Sequence, residues 1–130
     1  MKSQEIFNKV AVHLIKQGIA SHDQVSGCLY RGPNGTKCAV GAIMPDSVYR
    51  KGMETSGIGA LIQNFKLPNW IIDNENLLSE LQMVHDNRAA TDYEGHLLPF
   101  DIQDLVRDLR EIAVERNLSS DILKDYTSDV

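Results

Sequence analysis

No stretch of this chain approaches the roughly 18–20 uninterrupted apolar residues of a membrane span. The opening Met1-Lys2-Ser3-Gln4-Glu5 carries no apolar core followed by a small-residue cleavage site. These two absences predict no membrane partner and no secretory leader. Cysteine is scarce, with two in 130 residues. That count excludes a disulfide framework, and without a leader it predicts reduced thiols and a cytoplasmic location. There is no Cys-x-x-Cys and no His-x-x-x-His, and none of the four histidines lies within a few residues of Cys38. No metal and no cofactor are therefore expected. Gly41, Gly57 and Gly59 make neither a phosphate loop nor a dinucleotide fingerprint. Positive charge is not in excess, with 13 Lys/Arg against 18 Asp/Glu and a net charge of −5, so direct nucleic-acid binding is not expected.

What is present is ordinary in amount and uneven in arrangement. A chain of 130 residues, 42% hydrophobic and 24% charged, is one globular domain by size. Such a domain buries about two-thirds of its unfolded surface. Residues 1–51 carry seven Lys/Arg against three Asp/Glu, whereas residues 52–130 carry six against fifteen. The acidic C-terminal half would repel a phosphate backbone. It would suit a basic partner protein, although two differently charged solvated surfaces would look the same in sequence.

The spacing predicts a first helix over 3–18, capped by Ser3, with Phe7, Val10, Ala11, Leu14 and Ile15 on one stripe and Gly18 as the stop. A connector at Ser21–Gln24 leads to a β-hairpin over 27–41, with arms at roughly 27–31 and 36–41. Pro33-Asn34-Gly35 supplies the reversal, because Asn and Gly tolerate positive φ. Pro45 opens a single turn, and a glycine-spaced connector leads to a short helix at about 57–66 that Pro68 ends. Asp73 or Asn74 caps a helix over 73–87 with Leu77, Leu78, Leu81 and Val84 inward. After an exposed loop at 87–98, Asp101 caps the clearest helix, 101–116, with Ile102, Leu105, Val106, Leu109, Ile112 and Ala113 at three- and four-residue steps. One further turn runs to Tyr126 within a tail, 119–130, that should fray. The expected fold class is α+β and mostly helical, a single small domain of about four helices with one hairpin packed on them.

Three groups of residues are candidates for function. Cys28 and Cys38, on the two arms of the hairpin, are candidate nucleophiles if a base reaches them, and otherwise small buried apolar residues. His85 lies on the apolar face four residues after Leu81 and points inward, as a base for a thiol or as a core histidine; its neighbour Asp86 is expected to point elsewhere. His13 flanks the stripe of the first helix and is expected to pack. Tyr30, Arg31 and Lys37 would combine an aromatic with cations on the hairpin, a mixture that contacts phosphates or carboxylates. Asp104, Asp108 and Glu111 line the outer face of the last helix, as a docking surface or as a solvated face partly offset by Arg107 and Arg110.

Cys28-Leu-Tyr-Arg-Gly, Lys37-Cys38-Ala-Val-Gly-Ala-Ile and Leu81-Gln-Met-Val-His85-Asp86 together resemble a group of small uncharacterised bacterial and phage proteins. In that group a Cys-x-x-Gly-Ala segment precedes a helix ending in His-Asp or Asn-Asp. The similarity covers roughly residues 3–116, with Cys38, Gly41, Ala42 and Asp86 matching; the Pro33-Asn34-Gly35 tip and the tail after Asn117 fall outside it. It implies a phage or prophage setting and no reaction.

The expected function is that of a small cytoplasmic interaction protein, a phage-encoded modulator or inhibitor of a host protein, more a binder than an enzyme. One alternative is a Cys-dependent enzyme or small-ligand binder built on Cys28, Cys38 and His85. Another is a minor assembly component that forms a homo-oligomer.

Overall fold

Helix α1 (Ser3–Gln17) is one of the helices around which the core is built. Its stripe of Ile6, Phe7, Val10, Ala11 and Leu14 is wholly buried. Each such large aliphatic or aromatic side chain removed from water contributes about 1.5–3 kcal/mol. Helices α5 (Glu75–Asp86) and α6 (Ile102–Glu115) pack on α1 and on each other. Leu77, Leu78, Leu81 and Val84 of α5 meet Leu105, Val106, Leu109, Ile112 and Ala113 of α6 in one core. Ile102 is only partly buried. The computed structural model describes residues 1–126, and over them the protein is a small, mostly helical α+β domain with one two-stranded antiparallel hairpin.

Several helix ends follow local chemistry. Gly18 closes α1 with φ of 68°, its N–H donating to the Leu14 carbonyl at 2.9 Å. Asp101 caps α6 by accepting from the Asp104 N–H at 3.2 Å. Two caps differ from expectation. Lys2, not Ser3, precedes α1, because the Ser3 hydroxyl donates across the fold to Asn74 Oδ1 at 2.6 Å. The Lys2 N–H is satisfied instead by Glu5 Oε1 at 3.2 Å. Asn74 precedes α5, but its side chain serves Ser3 and the Trp70 carbonyl rather than its own helix.

The short elements were less legible. Helix α3 spans Ile58–Asn64, narrower than the expected 57–66. A single turn, α4 (Asn69–Ile72), follows Pro68 where no helix was expected. Within the tail expected to fray, Asp121–Tyr126 form a 3₁₀ helix with Leu123 buried against α1 and α6. Gln4 pins it by hydrogen bonds in both directions with the Ser119 backbone. The rest of that expectation, 127–130, lies outside the described residues.

The hairpin is where sequence reasoning misplaced the chain. The two-stranded ladder joins β1 (His22–Asp23) to β2 (Gly27–Cys28), with His22 opposite Cys28. Its turn is built by Asp23, whose Oδ1 accepts from the N–H groups of Val25 and Ser26. The reversal at 33–35 does exist: Asn34 and Gly35 have φ of 59° and 75°, and Arg31 pairs with Lys37 in one antiparallel bridge. Pairing stops there. The expected second arm, 36–41, gives way to a short buried helix, α2 (Ala39–Ile43), for which Cys38 is the N-cap. A continuous apolar run is ambiguous between strand and helix by periodicity alone. Tertiary packing resolves it, because Gly41 lets α2 lie directly on the backbone of Tyr30. A Cβ at Gly41 would stand 1.9 Å from the Tyr30 carbonyl oxygen.

Candidate functional site

The C-terminal turn of α5 places Gln82, His85 and Asp86 against the β1–β2 hairpin and α2. His85 is wholly buried, as its place on the apolar face demands, and meets Phe100 edge-to-face at 6.2 Å. Its Nε2 lies 2.9 Å from the Ser21 N–H. A backbone N–H can only donate, so Nε2 is the acceptor and the proton sits on Nδ1. Nδ1 then donates to Asp86 Oδ1 at 2.8 Å. The expectation that Asp86 points away from its neighbour's ring is thus corrected: the carboxylate folds back onto it.

Asp86 is a hub. Its Oδ1 also accepts from Gln82 Nε2 at 2.9 Å, while Gln82 Oε1 accepts from the Val40 N–H of α2 at 3.0 Å. The Cys28 thiol lies close to the same carboxylate, within 4.8 Å. Cys38 Sγ caps α2 by accepting from the Gly41 N–H at 3.4 Å. Both cysteines are free. The resulting network ties the segment after α1, the hairpin, α2 and α5 together through one anion.

The chemistry of this cluster differs from that of an activated thiol. Burial pushes the Cys28 thiol up to about 12, and the charge and hydrogen bond of Asp86 push in the same direction. Burial likewise raises Cys38 to about 12, although the Gly41 N–H and Gln82 oppose it. A nucleophile needs its thiolate favoured. Here both environments favour the thiol, and His85 has no ring nitrogen left to act as base. Cys28, His85 and Asp86 offer ligand atoms within 4.8 Å of one another, which raises the question of a metal. A metal-bound imidazole donates its second N–H to an acceptor. The second nitrogen of His85 faces the Ser21 donor instead, so Nδ1 carries a proton where a metal would need a lone pair. These residues do not fit a metal site.

No family model matches the chain, and no curated protein or solved structure matches it.

Beside the Asp86 hub is a pocket of about 320 Å³ between the hairpin and the segment entering α3. Cys28, Gln82 and Asp86 form its floor, and Thr55, Ser56 and Gly57 form its wall. The wall is tied down on both sides. Glu54 accepts from the N–H groups of Tyr30 and Arg31 and from the Tyr49 hydroxyl, at 2.8, 3.1 and 2.7 Å. The Tyr30 hydroxyl donates to the Ser56 carbonyl. Between those anchors Thr55 is held at φ of 67°, a conformation that β-branched residues avoid.

The three hairpin candidates are therefore occupied in different ways. Tyr30 is buried, its hydroxyl and N–H engaged with the 54–56 segment. Arg31 pairs with Asp46 at 2.7 Å, donates to the Met44 carbonyl at 2.9 Å and stacks on Tyr49 at 4.6 Å. It staples the 44–49 turn. Lys37 is opposite Arg31, and its backbone is held by Gln17 in both directions. His13 packs as expected, donating to the Lys37 carbonyl at 2.8 Å. Glu54, the carboxylate that organises this region, was missed; it lies 24 residues from Tyr30 and no local pattern marks it.

Two of the acidic candidates, Asp108 and Glu111, line a second feature, a groove of about 280 Å³ between α5 and α6, whereas Asp104 does not. Val84 and Ile112 lie in it, and Met83, a large apolar residue, is 58% exposed on its wall. Ion pairs close it at both ends: Arg88 with Asp108, and Arg116 with Glu80 at 2.6 Å. Asp104 is paired with Arg107 at 2.9 Å. Of the expected acidic face, Asp104 and Asp108 are thus neutralised from within. Glu111, and Glu115 beside it, line the groove, and no ion pair among the described residues engages either.

Proposed function

We propose that this chain is a small interaction protein whose α5–α6 groove takes a basic amphipathic segment of a partner protein. The observation that supports this reading is a groove with an apolar strip of Val84, Ile112 and the exposed Met83, lined on its α6 side by Glu111 and Glu115, in a chain half that is strongly acidic. An apolar side chain of the partner fills the groove over Val84 and Ile112, and flanking lysines or arginines meet Glu111 and Glu115. Apolar anchors supply affinity in such interfaces, while the charges supply orientation and on-rate. The resemblance of the Cys28, Cys38 and His85-Asp86 motifs to bacterial and phage proteins supports a phage setting, in which a small binder of this kind would act as a modulator of a host protein in the cytoplasm. The lack of an activated thiol favours this reading over a Cys-dependent enzyme.

The test uses a synthetic Lys/Leu amphipathic helix and the same peptide with Glu in place of Lys, titrated by fluorescence anisotropy at low and moderate salt. The basic peptide binds and the acidic one does not; M83D and the double variant E111K/E115K each weaken binding roughly tenfold or more, and D46K, away from the groove, leaves it unchanged. Equal binding of both peptides, or no loss in the groove variants, overturns the assignment. Retention of a bacterial protein from lysate by the native chain, lost in the same two variants, then identifies the partner.

A further inference from the structure

The pocket at the Asp86 hub lies on a different stripe of α5 from the groove. Asp86 is the last residue of α5, and its side chain stays 40% exposed although it already accepts from His85 and Gln82. The exposed part faces the pocket of about 320 Å³. That volume is at the small end of the range for ligand sites, roughly 300–1,000 Å³. No Lys, Arg or His contributes to the lining among the described residues. The neighbouring polar groups are neutral: the Cys28 thiol, the Ser26 hydroxyl and the Gln82 amide. The next carboxylate, Glu54, adds negative charge behind the wall. The pocket therefore presents a carboxylate with no cation of its own.

The site is also built rather than incidental. Asp86 is oriented by two donors of its own helix, His85 and Gln82. The opposite wall is fixed by Tyr30 and Glu54, which hold Thr55 in its strained conformation. Oriented charge and a rigid wall are what preorganised recognition needs. We infer that this pocket binds a small organic cation, a primary amine or guanidine of metabolite size, through a charge-assisted hydrogen bond to Asp86. Ile58 and the edge of Tyr30 would pack against its apolar part.

Gly57 allows a test that leaves Asp86 intact. It lines the pocket, its φ of −73° suits any residue, and a Cβ built there meets nothing within 4 Å. G57L should fill the pocket without disturbing the fold. The probes are agmatine, putrescine, cadaverine and tyramine, with 4-aminobutyrate and succinate as controls that carry a repelled carboxylate. Binding is read by isothermal titration calorimetry on the native chain at neutral pH, with circular dichroism confirming that each variant is folded. At least one amine or guanidine binds while succinate does not; D86N weakens it roughly tenfold or more, as expected for loss of a charge-assisted bond. G57L abolishes it, and E111K/E115K, in the separate groove, leaves it unchanged. If D86N fails to fold, G57L alone decides. No binding by any of the four cations, binding retained in G57L, or equal binding of succinate overturns the proposal.

Discussion

Replacing His85 by Leu tests the hub on which both the fold and the second site depend. Leucine is of similar size and suits a wholly buried helix position, so the change removes chemistry more than volume. Two interactions go. The Nδ1–H bond to Asp86 is charge-assisted and contributes about 1.5 kcal/mol at a half-exposed carboxylate. The Ser21 N–H loses its only acceptor among the described residues, and an orphaned buried donor costs about 1–3 kcal/mol. Together H85L should destabilise the domain by about 2.5–4.5 kcal/mol, a large fraction of the ~5–15 kcal/mol typical of such domains. In urea, with a slope of about 1–3 kcal/mol per molar, the midpoint should fall by about 1–4 M. A long-range ¹H–¹⁵N spectrum of the native chain supplies the complementary observation, a neutral His85 protonated on Nδ1. A loss below about 1 kcal/mol would refute the argument. So would a spectrum of the Nε2–H tautomer or of an imidazolium.

Other outcomes follow from the same geometry. With both thiols pushed to about 12, the thiolate fraction at pH 8 is on the order of one part in ten thousand. Cys28 and Cys38 should therefore resist iodoacetamide in the native chain and react on unfolding; rapid native labelling of Cys28 would restore the nucleophile reading. Gly41→Ala, which stabilises an ordinary helix by about 0.5–1 kcal/mol, should here cost about 1–3 kcal/mol, because the new Cβ meets the Tyr30 carbonyl at 1.9 Å. An unchanged or raised Tm would show that α2 does not rest on Tyr30. Burial alone would raise Asp108, but the hydrogen bond and charge of Arg88, with Arg107, outweigh it and hold the carboxyl below its ordinary 3.8. A depressed folded value means the contribution is present above 3.8 and is lost as pH falls through the lower folded value. D108N should thus differ from the native chain in urea midpoint near neutrality and converge with it in strong acid; a gap that persists or widens in acid would contradict the pairing.

How much of this was legible in the sequence depended on the range of the interaction involved. The apolar periods of α1, α5 and α6 are local, so their buried stripes, the Gly18 stop and the Asp101 cap could be read directly from the sequence. The inward direction of His85 follows from its step after Leu81. Asn34 and Gly35 carry their positive φ in their residue types. By contrast, the run from Ala39 to Ile43 satisfies either a buried strand or a buried helix, and only the close approach of Gly41 to Tyr30 selects the helix. The same long-range packing brings Cys28 from the hairpin to Asp86 of α5, and Glu54 to the backbone of Tyr30 and Arg31. Those encounters join residues far apart in the chain, so no local spacing encodes them. The sequence by itself determined which surfaces would be buried, because burial follows the period of each element. Which polar groups would meet, and hence where a ligand or partner could be held, was decided only when the elements packed and the buried backbone and side-chain donors competed for the acceptors that packing brought near.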